Sequence, residues 1–369
     1  MGVLLSVCVP DAKRSEEPFG ASAMVYRNDT DMSAPSRFAA KHTGAGAVTR
    51  APRPGPGPER REAVSPIAVE PLAAEPLHAV DTPAVPDGKG GGKGKFDPSR
   101  KLRAEIAEMN YKMRNTWPVP PCRYVSFQEV ERGRAKVAPV CQAPQVTFSK
   151  WSTADALLKF GKVRGKETCG LNFANGEQVG GGYKTGALAQ EEDLCRRIPN
   201  LYTSLLNAKR DRMYPFGPCT CRSPDRPEKY SDVLFTSDLV VARAAEEYNF
   251  EVLPPEQQVK TSLVTAAAPN INFAKEISDL KLMRNSVEAI FIAPRLVRKD
   301  INTLVLGAWG CGAFGGDPKE ISELFSSVLA ELGSLYQEVH FAIPGGKSGT
   351  NGRVFWETLS RRFDVKDIS

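Results

Sequence analysis

The residues best suited to chemistry lie in one stretch, Leu171-Asn172-Phe173-Ala174-Asn175-Gly176-Glu177-Gln178-Val179-Gly180-Gly181-Gly182, followed after seven residues by Gln190-Glu191-Glu192. Three consecutive glycines leave backbone amides uncovered, so a ligand can approach the chain closely. The two glutamates fall near the start of a predicted helix, where the dipole and free amides favour anionic groups and where a carboxyl group can serve as acid or base. Taken alone, the same residues also describe a flexible turn before a helix whose acids offset its dipole. Neighbouring side chains on a helix diverge by about 100°, so Glu191 and Glu192 are expected to have separate roles. They cannot face each other across a bond, which suits one acid/base with a positioning partner better than an opposed pair of carboxylates.

A second glycine-rich loop, Gly307 to Gly316, follows an apolar strand and runs into Asp317-Pro318-Lys319-Glu320. That tetrapeptide predicts a helix start, with Asp317 as N-cap, Pro318 in the first helical position and Glu320 closing a capping box. Two such loops after two parallel strands suit a diphosphate, whereas either alone is weak evidence.

Other chemistries are narrowed by composition. Of three histidines, His42 and His78 lie in the N-terminal hundred residues, leaving His340 inside the strand-like run Glu338 to Ile343. A Ser-His-Asp or Cys-His system would have to use that one residue, and a multi-histidine metal site is not available. The eight cysteines form no regular framework, which fits a reducing compartment, and Cys219-Thr220-Cys221 has no second pair to complete a zinc site. No metal and no cofactor is expected. Pro344-Gly345-Gly346-Lys347-Ser348 is not a phosphate loop of the nucleotide-triphosphatase kind, because that motif requires glycine where Phe341 stands. A net charge of +6, with bases and acids interspersed, suits a phosphate-rich ligand without identifying one.

The elements that must hold these loops alternate. Helices are predicted over Ser99 to Asn115, Thr153 to Lys162, Ala187 to Leu206, residues 274–295 and Lys319 to Leu332. Strands are predicted at Gln145 to Phe148, Thr168 to Phe173, Val233 to Phe235, Leu239 to Val241, Ser262 to Ala266, Ile301 to Leu306 and Tyr336 to Ile343. This order gives an α/β fold, with a mostly parallel sheet covered on both faces and ligands at the carboxyl ends of its strands.

The first 98 residues read differently. They hold 13 of the 29 prolines and runs such as Ala51 to Pro58 and Gly88 to Lys95, without a sustained apolar period. We read 1–98 as a disordered low-complexity region and 99–369 as one folded domain, expected to be a monomer. No run of 18 apolar residues occurs to span a membrane. Met1-Gly2-Val3-Leu4-Leu5-Ser6 matches an N-myristoylation pattern, with Cys8 available for a second acyl chain, so membrane contact through an acylated N-terminus is an expectation. The expected location is otherwise intracellular, cytoplasmic or nuclear.

The spacing GGG-x7-QEE, preceded by Asn172-Phe173-Ala174-Asn175, resembles the signature of microbial-type poly(ADP-ribose) glycohydrolases, which are catalytic macrodomains. Val264 to Asn270 and the Gly307 to Pro318 loop resemble that family in the same order, over about residues 100–369. Tyr183, where Phe is frequent, and the Pro- and Cys-bearing stretch Tyr214 to Lys229 depart from it. The resemblance implies a three-layer α/β/α macrodomain with a mixed, mostly parallel central sheet. It implies hydrolysis of ribose–ribose O-glycosidic bonds, with poly(ADP-ribose) or ADP-ribosylated proteins as partners. By it, Asn175 bonds the distal ribose, Gly180, Gly181 and Gly182 border it, Gln190 belongs to the ligand-binding set, Glu191 orients the ribose hydroxyls, and Glu192 acts on the glycosidic oxygen. Gly310, Cys311, Gly312, Ala313 and Phe314 wrap the diphosphate, the Phe314 ring lying against ribose. Asn351 and Phe355 are open between adenine contact and helix packing. A non-catalytic ADP-ribose reader remains the alternative, against which retention of Gln190-Glu191-Glu192 argues.

Overall fold

The computed structural model describes residues 98–369. The acylation pattern, and all but the last residue of the 1–98 stretch, lie outside the described residues.

Eight strands form one sheet: β1 (Cys122–Val125), β2 (Gln145–Ser149), β3 (Thr168–Ala174), β4 (Val233–Val241), β5 (Val259–Ala267), β6 (Thr303–Leu306), β7 (Glu338–Ala342) and β8 (Val365–Asp367), in the order β1-β4-β5-β3-β6-β7-β2-β8. From β5 to β8 all neighbours are parallel, and β4 and β1 are antiparallel additions at one edge. This is the mixed, mostly parallel sheet expected. It aligns the carboxyl ends of β3, β5, β6 and β7, so the loops after Ala174, Ala267, Leu306 and Ala342 share one end of the sheet.

Eight helices cover it: α1 (Pro98–Lys112), α2 (Phe127–Gly133), α3 (Thr153–Gly161), α4 (Gln190–Arg197), α5 (Leu201–Arg210), α6 (Leu280–Val297), α7 (Pro318–Leu332) and α8 (Thr350–Ser360). One face packs α2, α6, α7 and α8 through Phe291, Phe325, Phe341 and Phe355, and the other packs α1, α3, α4 and α5 through Leu157, Leu194, Leu205 and Leu263. Two apolar faces on a central sheet explain why strands buried on both sides read as continuous apolar runs.

Several elements differ from expectation. The helix predicted over Ala187 to Leu206 is two helices, because Pro199 disfavours helical backbone at Ile198, which sits at φ −117° and ψ 82°. The helix predicted from residue 274 starts at Leu280. Lys275 is left-handed at φ 53°, and Asp279 caps the true start by accepting from the Leu282 N–H. The two short strands at Val233 and Leu239 are one strand with a bulge between Thr236 and Leu239, where Asp238 has φ 57°. Asp317 caps α7 as expected, accepting from the Lys319 N–H at 2.8 Å with Pro318 following, but no described hydrogen bond returns from Glu320 to complete a capping box.

Candidate active site

Leaving β3, the chain turns at once. Asn175 Oδ1 accepts from the N–H groups of Glu177 and Gln178, both at 2.9 Å, while its Nδ2 donates to no described residue and stays available. The Pro- and Cys-bearing stretch Tyr214 to Lys229 packs behind this turn, the Phe216 N–H donating to the Gly176 carbonyl at 3.1 Å. The chain then passes through the three glycines to the first turn of α4, which carries Gln190, Glu191 and Glu192.

Gln190 is engaged inside the protein. Its Oε1 accepts from the Phe173 N–H at 2.9 Å, and its Nε2 donates to the Leu171 carbonyl at 2.7 Å and to Thr153 Oγ1 at 3.0 Å. The side chain ties α4 to the end of β3 and α3, so it positions the acids beside it.

Glu191 and Glu192 are both buried, and the loop holds each differently. Glu191 Oε2 accepts from the Asn175 N–H at 2.9 Å, and Oε1 lies 3.5 Å from Asn172 Nδ2. Burial and the charge of Glu192 raise the Glu191 pKa to about 8, against the hydrogen bonds from Asn175, Asn172 and Gly180 that favour the ionised form. Glu192 Oε1 accepts from the Gly182 N–H at 2.8 Å, and Oε2 is bonded to no described residue. One oxygen is therefore fixed and the other is free to meet a ligand. The two carboxyl groups belong to one helical turn and engage opposite ends of the loop, as their angular separation requires.

The Gly307 to Gly316 loop leaves β6, which pairs directly with β3. The buried Trp309 anchors it, donating from Nε1 to the Ala266 carbonyl at 3.0 Å. The Phe314 carbonyl accepts from the Ile271 and Asn272 N–H groups at 3.0 and 3.3 Å, Asn272 Nδ2 donates to the Ala313 carbonyl at 3.1 Å, and the Gly310 and Gly312 carbonyls accept from Gly316 and Gly315. These carbonyls are thus drawn into the protein, whereas the N–H groups of Gly310, Gly312, Ala313 and Phe314 donate to no described residue. An arc of free amides just before the N-terminus of α7 has the chemistry of an anion cradle. Segment Asn270 to Asn272, which shapes that cradle, had only its Val-Thr-Ala-Ala-Ala-Pro-Asn setting as a sequence signal. A cavity of about 100 Å³ lies between the loop and α7, lined by Ala268, Met283, Asp317 and Ile321. Another, of about 610 Å³, lies at the start of β2, lined by Gln145, Ser334 and Arg362, and shares no lining residue with the two glycine-rich loops or α4.

Thiol chemistry finds no support. Cys311 is half-buried within the loop and pushed up to about 12, chiefly by burial, and burial likewise raises the other described cysteines. His340 lies buried between Thr147 Oγ1 and Ser149 Oγ, each 2.9 Å from a ring nitrogen, and packs against Trp151 and Phe160. It is structural. Phe355 is fully buried against Phe325 and Phe341, a packing role that removes it from adenine contact, while Asn351 is half-exposed in the first turn of α8. Among the described residues no cluster of His, Cys, Asp and Glu could hold a metal ion, and no helix is long and apolar enough to cross a membrane.

Residues 92–244 match the family model described as microbial-type PARG, catalytic domain. This is the family that the GGG-x7-QEE spacing resembles, and the match includes both glutamates but ends before β5 and the second loop. Among solved structures, the chain is similar to poly(ADP-ribose) glycohydrolase (PARG) from Thermomonospora curvata, at 23% identity and a TM-score of 0.56 over 72% of this chain and 100% of that one. The same enzyme bound to the inhibitor ADP-HPD gives 23% identity and 0.57 over 71% and 100%. Poly(ADP-ribose) glycohydrolase from Deinococcus radiodurans in complex with ADP-ribose gives 23% identity and 0.54 over 68% and 97%. No curated protein matches. The fold is the one those glycohydrolase structures share.

Proposed function

We propose, taking the PARG catalytic-domain match as premise, that this protein hydrolyses the ribose–ribose O-glycosidic bonds of poly(ADP-ribose), with residues 99–369 as the catalytic unit and Glu192 as its acid/base. The observation that carries the reading is Glu192 itself: buried, with Oε1 held by the Gly182 amide at 2.8 Å and Oε2 unoccupied.

In this scheme the diphosphate of a terminal ADP-ribose lies on the amides of Gly310, Gly312, Ala313 and Phe314, with the Phe314 ring against ribose. Asn175 Nδ2 and Glu191 meet the ribose hydroxyls, and Gly180 to Gly182 border the sugar. Glu192 passes a proton to the glycosidic oxygen as its bond to the anomeric carbon breaks through an oxocarbenium-like state. The resulting carboxylate then takes a proton from the water that attacks that carbon, and ADP-ribose leaves with Glu192 restored. Water supplies both the proton retained by Glu192 and the hydroxyl gained by ADP-ribose, so the cycle closes without another reactant. Incubating the purified protein with poly(ADP-ribose) tests this reading. Free ADP-ribose supports it, whereas polymer binding without turnover would establish a reader instead.

The partners in this reading are the polymer and ADP-ribosylated proteins, met by a monomer in the cytoplasm or nucleus. Acylation at Gly2 would add membrane contact, and an unchanged membrane-bound fraction in Gly2→Ala would exclude it.

A further inference from the structure

We propose that Asn110 of α1 is a positioning residue for this reaction, a clamp that sets the loop carrying Glu192. The inference rests on the hydrolase reading for its kinetic consequence, but its structural basis is independent of it.

Asn110 is buried, and its carboxamide is a four-way junction. Oδ1 accepts from Arg243 Nε at 2.7 Å, which fixes the orientation of the amide and turns Nδ2 toward the catalytic segment. Nδ2 then donates to the carbonyl of Arg196 at 2.9 Å and lies 3.1 Å from Tyr183 Oη and 3.3 Å from the Cys195 carbonyl. Tyr183 directly follows Gly182, whose amide holds Glu192. Cys195 and Arg196 form the last turn of α4, whose first turn bears Glu191 and Glu192. One side chain therefore fixes both ends of the segment that brings the Gly182 amide and the Glu192 carboxylate together.

The same face of α1 holds the middle of that segment. Arg103 Nε donates to the Gly186 carbonyl at 2.9 Å while its Nη1 pairs with Glu246 at 2.8 Å, and Arg100 Nε donates to the Thr185 carbonyl at 2.9 Å. Residues 100, 103 and 110 stand three and seven apart, the spacing of one helical stripe. Gly186, at φ +73°, turns directly against the Arg100 carbonyl, leaving no room for a Cβ. A short loop under three side-chain bonds is a support of the kind that holds a reacting group to sub-ångström tolerance. The anion cradle hangs from β6 and α7 with no described bond to α1, so the clamp should govern turnover rather than diphosphate affinity.

Asn110→Ala and Arg100→Ala, in the full chain, test the clamp by steady-state kinetics on poly(ADP-ribose), ADP-ribose affinity and amide exchange. Asn110→Ala is expected to lower kcat about tenfold or more while KM and the ADP-ribose Kd move less than about threefold. Exchange across Gly180 to Ala189 should accelerate about tenfold, with β3 and β5 unchanged. A simple stability role would lower Tm without this split. Should Asn110→Ala fail to fold, Arg100→Ala, at an exposed position, is expected to show the same split at about two- to threefold with unchanged Tm. Unchanged kcat in a folded Asn110→Ala, or in Arg100→Ala where the first variant does not fold, overturns the proposal, as does a loss of affinity in proportion to kcat. If the wild-type protein does not hydrolyse the polymer, the hydrolase reading fails, and exchange decides the clamp by itself: faster exchange confined to Gly180 to Ala189 supports it, and unaltered exchange there overturns it.

Discussion

Gly181 stands so close to Glu192 that a Cβ added to it would lie 2.5 Å from Oε1, and 3.5 Å from Glu191 Oε2. The glycine is also left-handed, at φ +50°. Alanine here meets a steric conflict with the fixed oxygen of the acid as well as a backbone cost of roughly 1–2 kcal/mol. Gly181→Ala should therefore lower kcat by about 100-fold, since small misplacement of a reacting group has effects of that size. Steady-state turnover checks this, and retention of near-wild-type kcat would show that the carboxylate does not depend on this gap.

Glu191 makes the protein's stability depend on pH in a defined direction. Its ordinary pKa of 4.5 is raised to about 8 in the fold, first by burial. Between those values the folded state binds the extra proton, so this contribution favours folding at low pH and is lost as pH rises through about 8. Glutamine cannot ionise and escapes that loss. The Tm of Glu191→Gln relative to wild type should accordingly be higher at pH 9 than at pH 5. An equal difference at both pH values would show that Glu191 ionises normally.

His340 acts in the opposite sense. Burial, aided by Lys166, lowers its pKa from 6.5 to about 3, so the unfolded chain binds the proton preferentially between those values and stability falls as pH falls through that window. Denaturant unfolding of wild type and His340→Gln should show the stability difference shifting toward the variant from pH 7 to pH 4.5. The ring should remain neutral at pH 4.5 by NMR, and a titration near 6.5 would contradict the structural assignment.

Much of this arrangement was legible because it is local. The strands later paired as β3, β5, β6 and β7 are apolar runs buried on both sides, and the Asp317-Pro318 start of α7 is written in adjacent residues. GGG and QEE could be read together because one short loop joins them. Pro199 is a local signal too, and it marks the break between α4 and α5 that a single helix over Ala187 to Leu206 passes over. The edge strands β1 and β8 were missed because four and three residues carry little pattern, and their pairing with β4 and β2 is set by distant chain. The supports of the site share that property. Asn110 reaches Tyr183 across 73 residues, and Asn272 reaches Ala313 across 41. Gln190 shares it in part, its side chain reaching Thr153 across 37 residues.

The most direct test of the account is poly(ADP-ribose) turnover by wild type and Glu192→Gln, with ADP-ribose affinity measured on both. Glutamine keeps an acceptor for the Gly182 amide and removes only the ionisable proton. The account predicts ADP-ribose release by wild type and a fall in kcat of about 1,000-fold in the variant, with affinity within about threefold. Turnover by Glu192→Gln at the wild-type rate would contradict it.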